Sequence, residues 1–326
     1  MTLSNPNNFE LKFIDLFCGI GGFRIAAKNI FKKHQINNQC VFSCDIDQPA
    51  RNSYFANFGE TPEDDIKQIP SEDIPEHDLL FAGFPCQPFS IIGKGNGFED
   101  ARGTLFFEIL RILEAKRPYA FILENVKRLV GHNMGKTLDK ILDSLSKLGY
   151  WVDYKVLNAL DFGLPQRRER VFIIGLLEPP KGKIFPEGDK KPVPLDQILE
   201  QTVAKKYYVS ETVRTKRLEK HKPKVYPSIW HENKSGNISS YPYSCALRSG
   251  ASHNYLLVDG QRRLTPREFL RLQGFPDWFQ IVVSDSQLKK QAGNTVPIPV
   301  VESLIERVLP NIFQAISSRQ TANSAQ

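Results

Sequence analysis

Cysteine is scarce in this sequence and is not arranged in pairs. The 326 residues contain five cysteines, and no two of them have the Cys-x-x-Cys spacing of a zinc ribbon. An odd number of unpaired thiols argues against a disulfide-stabilised secreted scaffold. We therefore expect a protein of a reducing compartment, with no metal site.

Long hydrophobic runs are also absent. The apolar segments are as short as residues 171–174, whereas a membrane-spanning helix needs roughly 18–20 apolar residues. Residues 1–8 have neither the basic nor the apolar stretch of a secretory leader, so we expect no signal peptide. These absences predict a cytoplasmic protein that does not interact with a membrane.

An excess of basic over acidic residues is concentrated in one segment. The chain has 43 Lys and Arg against 36 Asp and Glu, a formal net charge of +7. Residues 181–262 carry 15 basic and 8 acidic side chains, whereas residues 1–180 carry 21 and 23. A concentrated basic segment is typical of proteins that bind a polyanion, most often nucleic acid, but a solvated lysine-rich face fits the charge equally well.

The chain has a globular composition and an alternating strand–helix pattern in its first half. Hydrophobic residues make up 41% and charged residues 24% of the chain, and its length suggests roughly two domains of about 150 residues each. Short apolar segments predict strands at residues 11–17, 40–43, 79–82, 120–123 and 171–177. The intervening segments have helical periodicity, which predicts an α/β fold with a mostly parallel sheet and helices on both faces.

This regularity ends at residues 178–182, where the sequence Glu-Pro-Pro-Lys-Gly predicts a linker into a second, smaller module. Residues up to about 262 lack a periodic apolar pattern and are rich in Ser, Asn, Tyr and Lys. The pattern recovers after Arg263. A final helix is predicted with one apolar face, formed by Val300, Val301, Leu304, Ile305, Val308 and Ile312.

Glycines follow the first predicted strand directly, at Gly19, Gly21 and Gly22. Such a loop brings the backbone close to a ligand at a helix N-terminus, although a tight structural turn explains it equally well. Arg24 stands where the dinucleotide fingerprint needs its third glycine, which disfavours classical NAD binding. Asp45, at the end of the second strand, is placed to reach ribose hydroxyls, so the pattern favours a nucleoside-bearing cofactor.

Cys86 lies in the segment Gly-Phe-Pro-Cys-Gln-Pro-Phe-Ser, immediately after a predicted strand. Lone cysteines are usually inert small hydrophobic residues. A thiol held at the C-terminal end of a parallel strand, however, lies where the sites of α/β proteins form, so we interpret Cys86 as a nucleophile. The glycine-rich residues 93–97 predict a loop that closes over this site.

Charged residues stand at the ends of two further predicted strands. Glu124 follows the buried segment 120–123, where burial raises a carboxyl pKa and suits it to donate a proton; a capping or structural carboxylate is the alternative. The run Gln-Arg-Arg-Glu-Arg at residues 166–170 offers guanidinium groups for phosphates or a carbonyl oxygen, but it also fits a surface charge cluster.

Taken together, these motifs resemble the bacterial type II cytosine-5 DNA methyltransferases, in particular small modification methylases of the HhaI and HpaII type. Each block is weak alone, but their common order is highly specific. The resemblance spans nearly the whole chain outside residues 181–245. Its blocks are Phe13–Gly19, Gly83–Gln87, Gly97–Phe107, Glu124–Val126, Gln166–Arg170, Leu264–Glu268 and Gln291–Pro297.

The resemblance implies methyl transfer from S-adenosylmethionine to C5 of a cytosine flipped out of the DNA duplex. In the family's chemistry a thiolate adds at C6 and makes C5 nucleophilic, a role that falls to Cys86. Glu124 would donate to N3 and hold the exocyclic amine. Arg168 and Arg170 would fix the base and the neighbouring backbone.

The resemblance also implies the α/β, Rossmann-like mixed sheet of the S-adenosylmethionine-dependent methyltransferases and a cofactor site for S-adenosylmethionine. The matching positions are Phe17, Gly19, Gly21, Asp45, Ile46, Asp65, Ile66, Leu105, Asn294 and Val296. The chain departs from the family where Asp45-Ile46 stands for the usual Glu-Trp, because an isoleucine cannot stack on adenine as an aromatic ring does. Cys18 replaces the usual alanine or serine and is expected to be a packing change.

The implied organisation is a catalytic and cofactor-binding domain of residues 1–182 and 286–326, with a target-recognition domain and hinge at residues 183–285. Double-stranded DNA is the expected partner. Its phosphates would be contacted by basic residues such as Lys205, Lys206, Arg214, Lys216, Arg217 and Lys220. We expect a monomer associated with the bacterial nucleoid, with a cognate restriction endonuclease acting on the same site as a separate protein.

Two other functions remain open on the sequence. An RNA cytosine-5 methyltransferase of the same fold is one, although the long insertion favours DNA. A non-catalytic DNA-binding protein on a decayed methylase scaffold is the other, and it is disfavoured because Cys86, Glu124 and Arg170 are intact.

Overall fold

The computed structural model describes residues 9–85, 105–233, 235–252 and 254–324 of the chain. Its first part alternates strands with helices. The strands are β1 (Leu11–Leu16), β2 (Asn38–Cys44), β3 (Leu79–Gly83), β4 (Ala120–Val126), β5 (Trp151–Asn158), β6 (Gln166–Arg167) and β7 (Glu169–Leu176). The helices are α1 (Gly22–Lys33), α2 (Gln48–Phe58), α3 (Leu105–Lys116), α4 (Arg128–Gly131) and α5 (Lys136–Lys147).

The second part has shorter elements and then returns to helices. It contains α6 (Glu211–Lys220), β8 (Ile229–Glu232), β9 (Ile238–Tyr241), β10 (Ser244–Cys245) and β11 (Leu256–Val258). The last helices are α7 (Pro266–Arg271), α8 (Asp285–Asn294) and α9 (Ile298–Ser324).

Six strands form the main sheet, in the order β2-β1-β3-β4-β7-β5. The strands β1 to β4 are parallel, and β7 runs antiparallel to both of its neighbours. This confirms the predicted mostly parallel, mixed sheet. The edge strand β5 was not predicted. It pairs on one side only, and the adjacent exposed residues Asp153 and Tyr154 interrupt its half-buried residues, so it has neither a continuous apolar run nor a regular alternation.

Alternate residues of the central strands enter two different cores, one on each face of the sheet. Phe13 and Phe81 pack on the face covered by α1 and α9, whereas Ile14 and Leu80 pack on the face covered by α3 and α5. Strands that are buried on both faces have continuous runs of apolar residues, so the sequence pattern predicted these strands correctly. The predicted helices on both faces of the sheet are therefore confirmed.

A third core lies in the smaller part of the chain, beneath the antiparallel sheet β11-β8-β9. Helix α7 lies at the junction, since Phe269 packs into this third core and Leu270 into the core of α1 and α9. A capping box between Thr265 and Glu268 begins α7. Glu268 also accepts two hydrogen bonds of 2.8 Å from the guanidinium of Arg262, a buried ion pair that fixes the junction.

Helix α9 returns to the first part of the chain, as its apolar face predicted. Its predicted apolar residues are buried against α1 and the main sheet. At its exposed edge Asn29 of α1 donates a 2.7 Å hydrogen bond to Glu302. Among the described helices, none has the length and hydrophobicity that crossing a bilayer requires. Within the same residues, His, Cys, Asp and Glu form no cluster of three or more suited to a metal ion.

Candidate active site

A cavity of about 630 Å³ opens at the C-terminal ends of the parallel strands, between the two parts of the chain. Parallel sheets place their ligand sites at this edge, because the strand ends and the following loops converge there. Eight of the ten predicted cofactor residues line this cavity, together with three of the four predicted catalytic residues. They are Phe17, Gly19, Asp45, Ile46, Asp65, Ile66, Leu105 and Asn294, with Glu124, Arg168 and Arg170.

The glycine loop after β1 is shaped by left-handed backbone conformations. Phe17 has φ 56°, Gly19 has φ 55° and Gly21 has φ 81°. The N–H of Gly19 donates a 2.7 Å hydrogen bond to Oδ2 of Asp45. No atom lies within 4 Å of the position where a Cβ on Gly19 would stand, so open space faces the backbone here. The loop therefore forms an open cradle beside the cavity, as a ligand-binding loop requires.

Asp45 holds the turn that follows β2 and keeps its carboxylate in the cavity wall. Its Oδ1 accepts a 2.8 Å hydrogen bond from the N–H of Asp47, in addition to the bond from Gly19 to Oδ2. Burial raises the pKa of Asp45, and the two N–H donors oppose that rise. Each carboxylate oxygen retains a lone pair, so the group can still accept bonds from ligand hydroxyls.

The remaining cofactor positions form the rim and the apolar floor of the cavity. Ile66 is buried, whereas Ile46 is 71% exposed at the rim. Asp65 caps the short 3₁₀ turn that starts at Ile66, since its side chain accepts a hydrogen bond from the N–H of Lys67. Asn294 reaches the cavity from the far end of the chain, at the C-terminal end of α8.

Gly21 and Val296 do not line the cavity but lie behind its wall. A Cβ on Gly21 would stand 2.3 Å from the ring of Phe58. Val296 is buried, and its Cγ2 would lie 2.8 Å from a Cβ on Gly22. Both residues shape the start of α1 by close packing, so their contribution to the cavity is indirect.

Glu124 lies within β4, two residues before its end, beside Gly83 of β3. Its Oε1 lies 3.0 Å from Nε of Arg170, which reaches it from the neighbouring strand β7. Within the described residues, this oxygen has no aligned hydrogen-bond donor, so the contact is electrostatic. Burial raises the pKa of Glu124 and the guanidinium groups of Arg170 and Arg168 oppose the rise, a balance suited to proton transfer.

Arg168 is buried and plays a different part from Arg170. Its guanidinium donates hydrogen bonds to the backbone carbonyls of Thr295 at 2.6 Å, Gly293 at 3.2 Å and Leu247 at 3.4 Å. Burial, with repulsion from Arg170, lowers the pKa of Arg168 to about 9. The side chain thus ties together three chain segments at the back of the cavity.

Cys86 and the predicted closing loop at residues 93–97 lie outside the described residues. The chain leading to Cys86 is described, however, and Pro85 lines the cavity. Nδ2 of Asn125 donates a 2.9 Å hydrogen bond to the carbonyl of Phe84, and this buried contact fixes the end of that segment. Asn125 was not among the residues predicted for the site, although its position next to Glu124, just after the buried segment 120–123, was an available signal.

Comparison with known proteins identifies the family. The model of the C-5 cytosine-specific DNA methylases matches residues 11–309. Type II methyltransferase M.NgoBI of Neisseria gonorrhoeae is 53% identical, over 95% of this chain and 96% of its own. Type II methyltransferase M.HaeII of Haemophilus aegyptius is 52% identical, over 94% and 95%.

A solved structure gives the same fold at low sequence identity. The crystal structure of a DNMT2 mutant from Spodoptera frugiperda matches with a TM-score of 0.70 and 21% identity, over 92% of this chain and 99% of that one. The chain therefore belongs to the C-5 cytosine-specific DNA methylases and is a DNA (cytosine-5-)-methyltransferase with the S-adenosylmethionine-dependent methyltransferase fold.

Proposed function

We propose that the cavity binds S-adenosylmethionine at its Asp45 end and a flipped-out cytosine at its Glu124 end. The observation that carries this is the placement of Glu124, Arg170 and the strand leading to Cys86 in the same cavity as the Gly19–Asp45 cradle. The open space at Gly19 and the free lone pairs of Asp45 fit a nucleoside-bearing ligand. When bound, S-adenosylmethionine supplies an electrophilic methyl group.

The protein side chains then prepare the cytosine. The Cys86 thiolate forms a bond to C6, and Glu124 delivers a proton to N3, so that the electron pair of the C5–C6 bond becomes available at C5. Arg170 orients Glu124 through their 3.0 Å contact. After C5 is methylated, its proton is lost to solvent and the C5–H electron pair re-forms the C5–C6 double bond. The C6–S bond breaks with its electron pair returning to the Cys86 sulfur, and N3 returns its proton to Glu124.

The nucleophile can be tested with radiolabelled S-adenosylmethionine and unmethylated phage DNA. We expect Cys86→Ser to abolish methyl transfer, and duplex DNA carrying 5-fluorocytosine to trap a covalent adduct with the wild-type protein. Cys40→Ser, a matched change at a half-buried thiol of β2, should leave both results intact. Full activity of Cys86→Ser would refute the assignment, and parallel incubation with tRNA tests RNA as substrate.

We propose that residues 183–285 are the target-recognition domain and hinge, and that residues 1–182 and 286–326 form the catalytic domain. The separate core beneath β8, β9 and β11 supports a distinct module, and α7 is placed to act as the hinge. Within this module Lys205, Lys216 and Lys220 are exposed and suited to phosphates. Arg217 is not, because it is buried and paired with Glu232 and the carbonyl of Asn254.

Double-stranded DNA is the proposed substrate, and a cognate restriction endonuclease the proposed functional counterpart, acting on the same site without forming a complex. We propose that the protein acts as a monomer on the DNA of the nucleoid in the bacterial cytoplasm. Methylation-sensitive sequencing of a plasmid from a host that expresses the chain would give the methylated site. Equilibrium sedimentation of the protein with and without DNA tests the monomer.

A further inference from the structure

Helix α8 lies between the smaller module and the cofactor end of the cavity. Asp285, Lys289 and Gly293 recur every four residues along it and therefore share one side of the helix. Lys290 and Gln291 lie on another side. The two sides contact different parts of the chain, so α8 connects the smaller module to the cofactor end of the cavity.

The first side of α8 is tied to the smaller module at its start and its middle. At the start, Oδ2 of Asp285 accepts hydrogen bonds from Nζ of Lys206 at 2.8 Å and from the hydroxyl of Tyr207 at 2.9 Å. In the middle, Nζ of the buried Lys289 donates to the backbone carbonyls of Ala251 and Ser252. The same ammonium lies 5.2 Å from the centroid of the Tyr255 ring. Its hydrogen bonds hold the two carbonyls in place, because a buried ammonium that lost them would be costly.

At the C-terminal end of the same side, the backbone of α8 lies in close contact with the smaller module. A Cβ on Gly293 would stand 2.5 Å from the backbone nitrogen of Ser249, so only glycine allows this contact. The guanidinium of Arg168 connects the two segments at this contact, because it donates hydrogen bonds to the carbonyls of both Leu247 and Gly293. Residues 247–252, which we call the docking segment, are thus held to α8 at three successive points.

The second side of α8 is tied to the cofactor end. Nε2 of Gln291 donates a 3.0 Å hydrogen bond to the carbonyl of Pro49, and Oε1 of Gln291 accepts a 3.2 Å bond from the hydroxyl of Ser53. Lys290 forms an ion pair with Asp47, the residue that caps α2 and donates its N–H to Asp45. A shift of α8 therefore moves the wall that holds Asp45.

We propose that α8 is a positioning helix that couples docking of DNA on the smaller module to cofactor binding, with Lys289 and Gly293 as its positioning residues. The inference rests on the proposed function, because it takes the cavity as the S-adenosylmethionine site. In the docking segment, Arg248, Ser249 and Gly250 are exposed. The cationic side chain of Arg248 can therefore contact a DNA phosphate, and the segment that carries it is attached to α8. Because binding linkage is reciprocal, DNA and cofactor must strengthen each other's binding by the same factor.

The test measures binding of S-adenosylhomocysteine, the demethylated product, by isothermal titration calorimetry with and without unmethylated phage DNA. For the wild-type protein we expect DNA to tighten binding by a factor on the order of 5 to 150. Lys289→Met keeps the apolar stem and removes the ammonium, so the factor should fall towards one while binding without DNA changes little. Lys289→Arg, which keeps a charged donor, should restore part of the factor.

Gly293→Ala provides an independent second variant, because its Cβ separates the docking segment from α8 without removing a charge. Lys140→Met, on the exposed face of α5, is the charge-matched control and should keep the wild-type factor. A wild-type factor of one, or an unchanged factor in both Lys289→Met and Gly293→Ala, would overturn the coupling. Failure of the wild-type protein to bind S-adenosylhomocysteine at all would instead refute the proposed cofactor site.

Discussion

Nε of Arg170 lies 3.0 Å from Oε1 of Glu124, and both side chains are largely withdrawn from solvent in the cavity wall. Burial favours the neutral carboxyl, while the adjacent cation favours the carboxylate. The ion pair therefore holds Glu124 at a point where small changes in its surroundings alter its protonation. This relationship makes the acid–base behaviour of the site open to direct tests.

Substituting Arg170 should shift the pH dependence of methyl transfer. The protonated form of Glu124 is the proton donor, so activity is expected to fall as pH rises through its pKa, which burial has raised. Arg170→Gln removes the opposing cation, which raises that pKa further and moves the alkaline limb to higher pH. Single-turnover rates of methyl transfer measured across pH test this.

Glu124→Gln is the companion variant for that experiment. It cannot donate a carboxyl proton, and loss of general acid catalysis typically costs about 10²- to 10⁴-fold in rate. Its residual rate should lose the alkaline limb altogether. An alkaline limb that persists unchanged in Glu124→Gln would assign the titration to another group.

Asn125 is expected to position the nucleophile segment. Its amide donates to the carbonyl of Phe84, two residues before Cys86. Asn125→Asp replaces the donor by an acceptor facing that carbonyl, so kcat for methyl transfer should fall by about tenfold or more while KM for S-adenosylmethionine changes little. Asn158→Asp is the comparison, at an asparagine that ends β5 and caps the following 3₁₀ turn outside the cavity lining. Equal losses in the two variants would indicate a general structural effect.

Ile46 offers a gain-of-affinity prediction. Its side chain is 71% exposed at the rim of the cavity and supplies no aromatic face. Ile46→Trp should tighten cofactor binding, since an aromatic stacking contact contributes about 0.5–1.5 kcal/mol, roughly a 2- to 12-fold gain. Calorimetric titration with S-adenosylhomocysteine measures it, and Ile46→Leu should leave affinity near that of the wild type. Weaker binding by the tryptophan variant would mean that Ile46 does not face adenine.

Asp15 should make folding stability depend on pH. It is fully buried in β1, and within the described residues its carboxylate oxygens lack hydrogen-bond partners. Burial raises its pKa to about 8, with Arg24 opposing and Asp45 adding to the rise. The folded state thus retains a proton that the unfolded state releases above about pH 4, so this residue lowers stability as pH rises towards 8.

The variant Asp15→Asn isolates this effect, because its amide is neutral at every pH. Its Tm relative to the wild type should improve steadily between about pH 4 and pH 8. Asp143→Asn, on the exposed face of α5, should show no such trend. A pH-independent difference between Asp15→Asn and the wild type would exclude a buried, protonated carboxyl.

The central strands of the fold and several residues of the candidate site could be predicted from the sequence. The central strands are apolar on both faces, so they appear as runs, and Glu124 and the glycine loop stand directly after such runs. Strand β5 was not predicted, because two adjacent exposed residues, Asp153 and Tyr154, break its apolar pattern at the edge of the sheet. Gly21 and Val296 were predicted as cofactor residues from the order of the motifs, but they lie behind the cavity wall. The order of motifs along the chain does not show whether a residue lines a cavity or packs behind its wall.

What the sequence alone determined is therefore the set of local choices: which segments are strands or helices, where glycine and charge interrupt them, and which family the order of motifs matches. The tertiary structure decided which of those residues meet. Arg168 and Arg170 are only two positions apart, just before and just after the start of β7, yet Arg168 bonds backbone carbonyls and Arg170 pairs with Glu124. The helix α8 joins residues more than 200 positions apart, because burial and donor geometry, rather than sequence separation, select its partners.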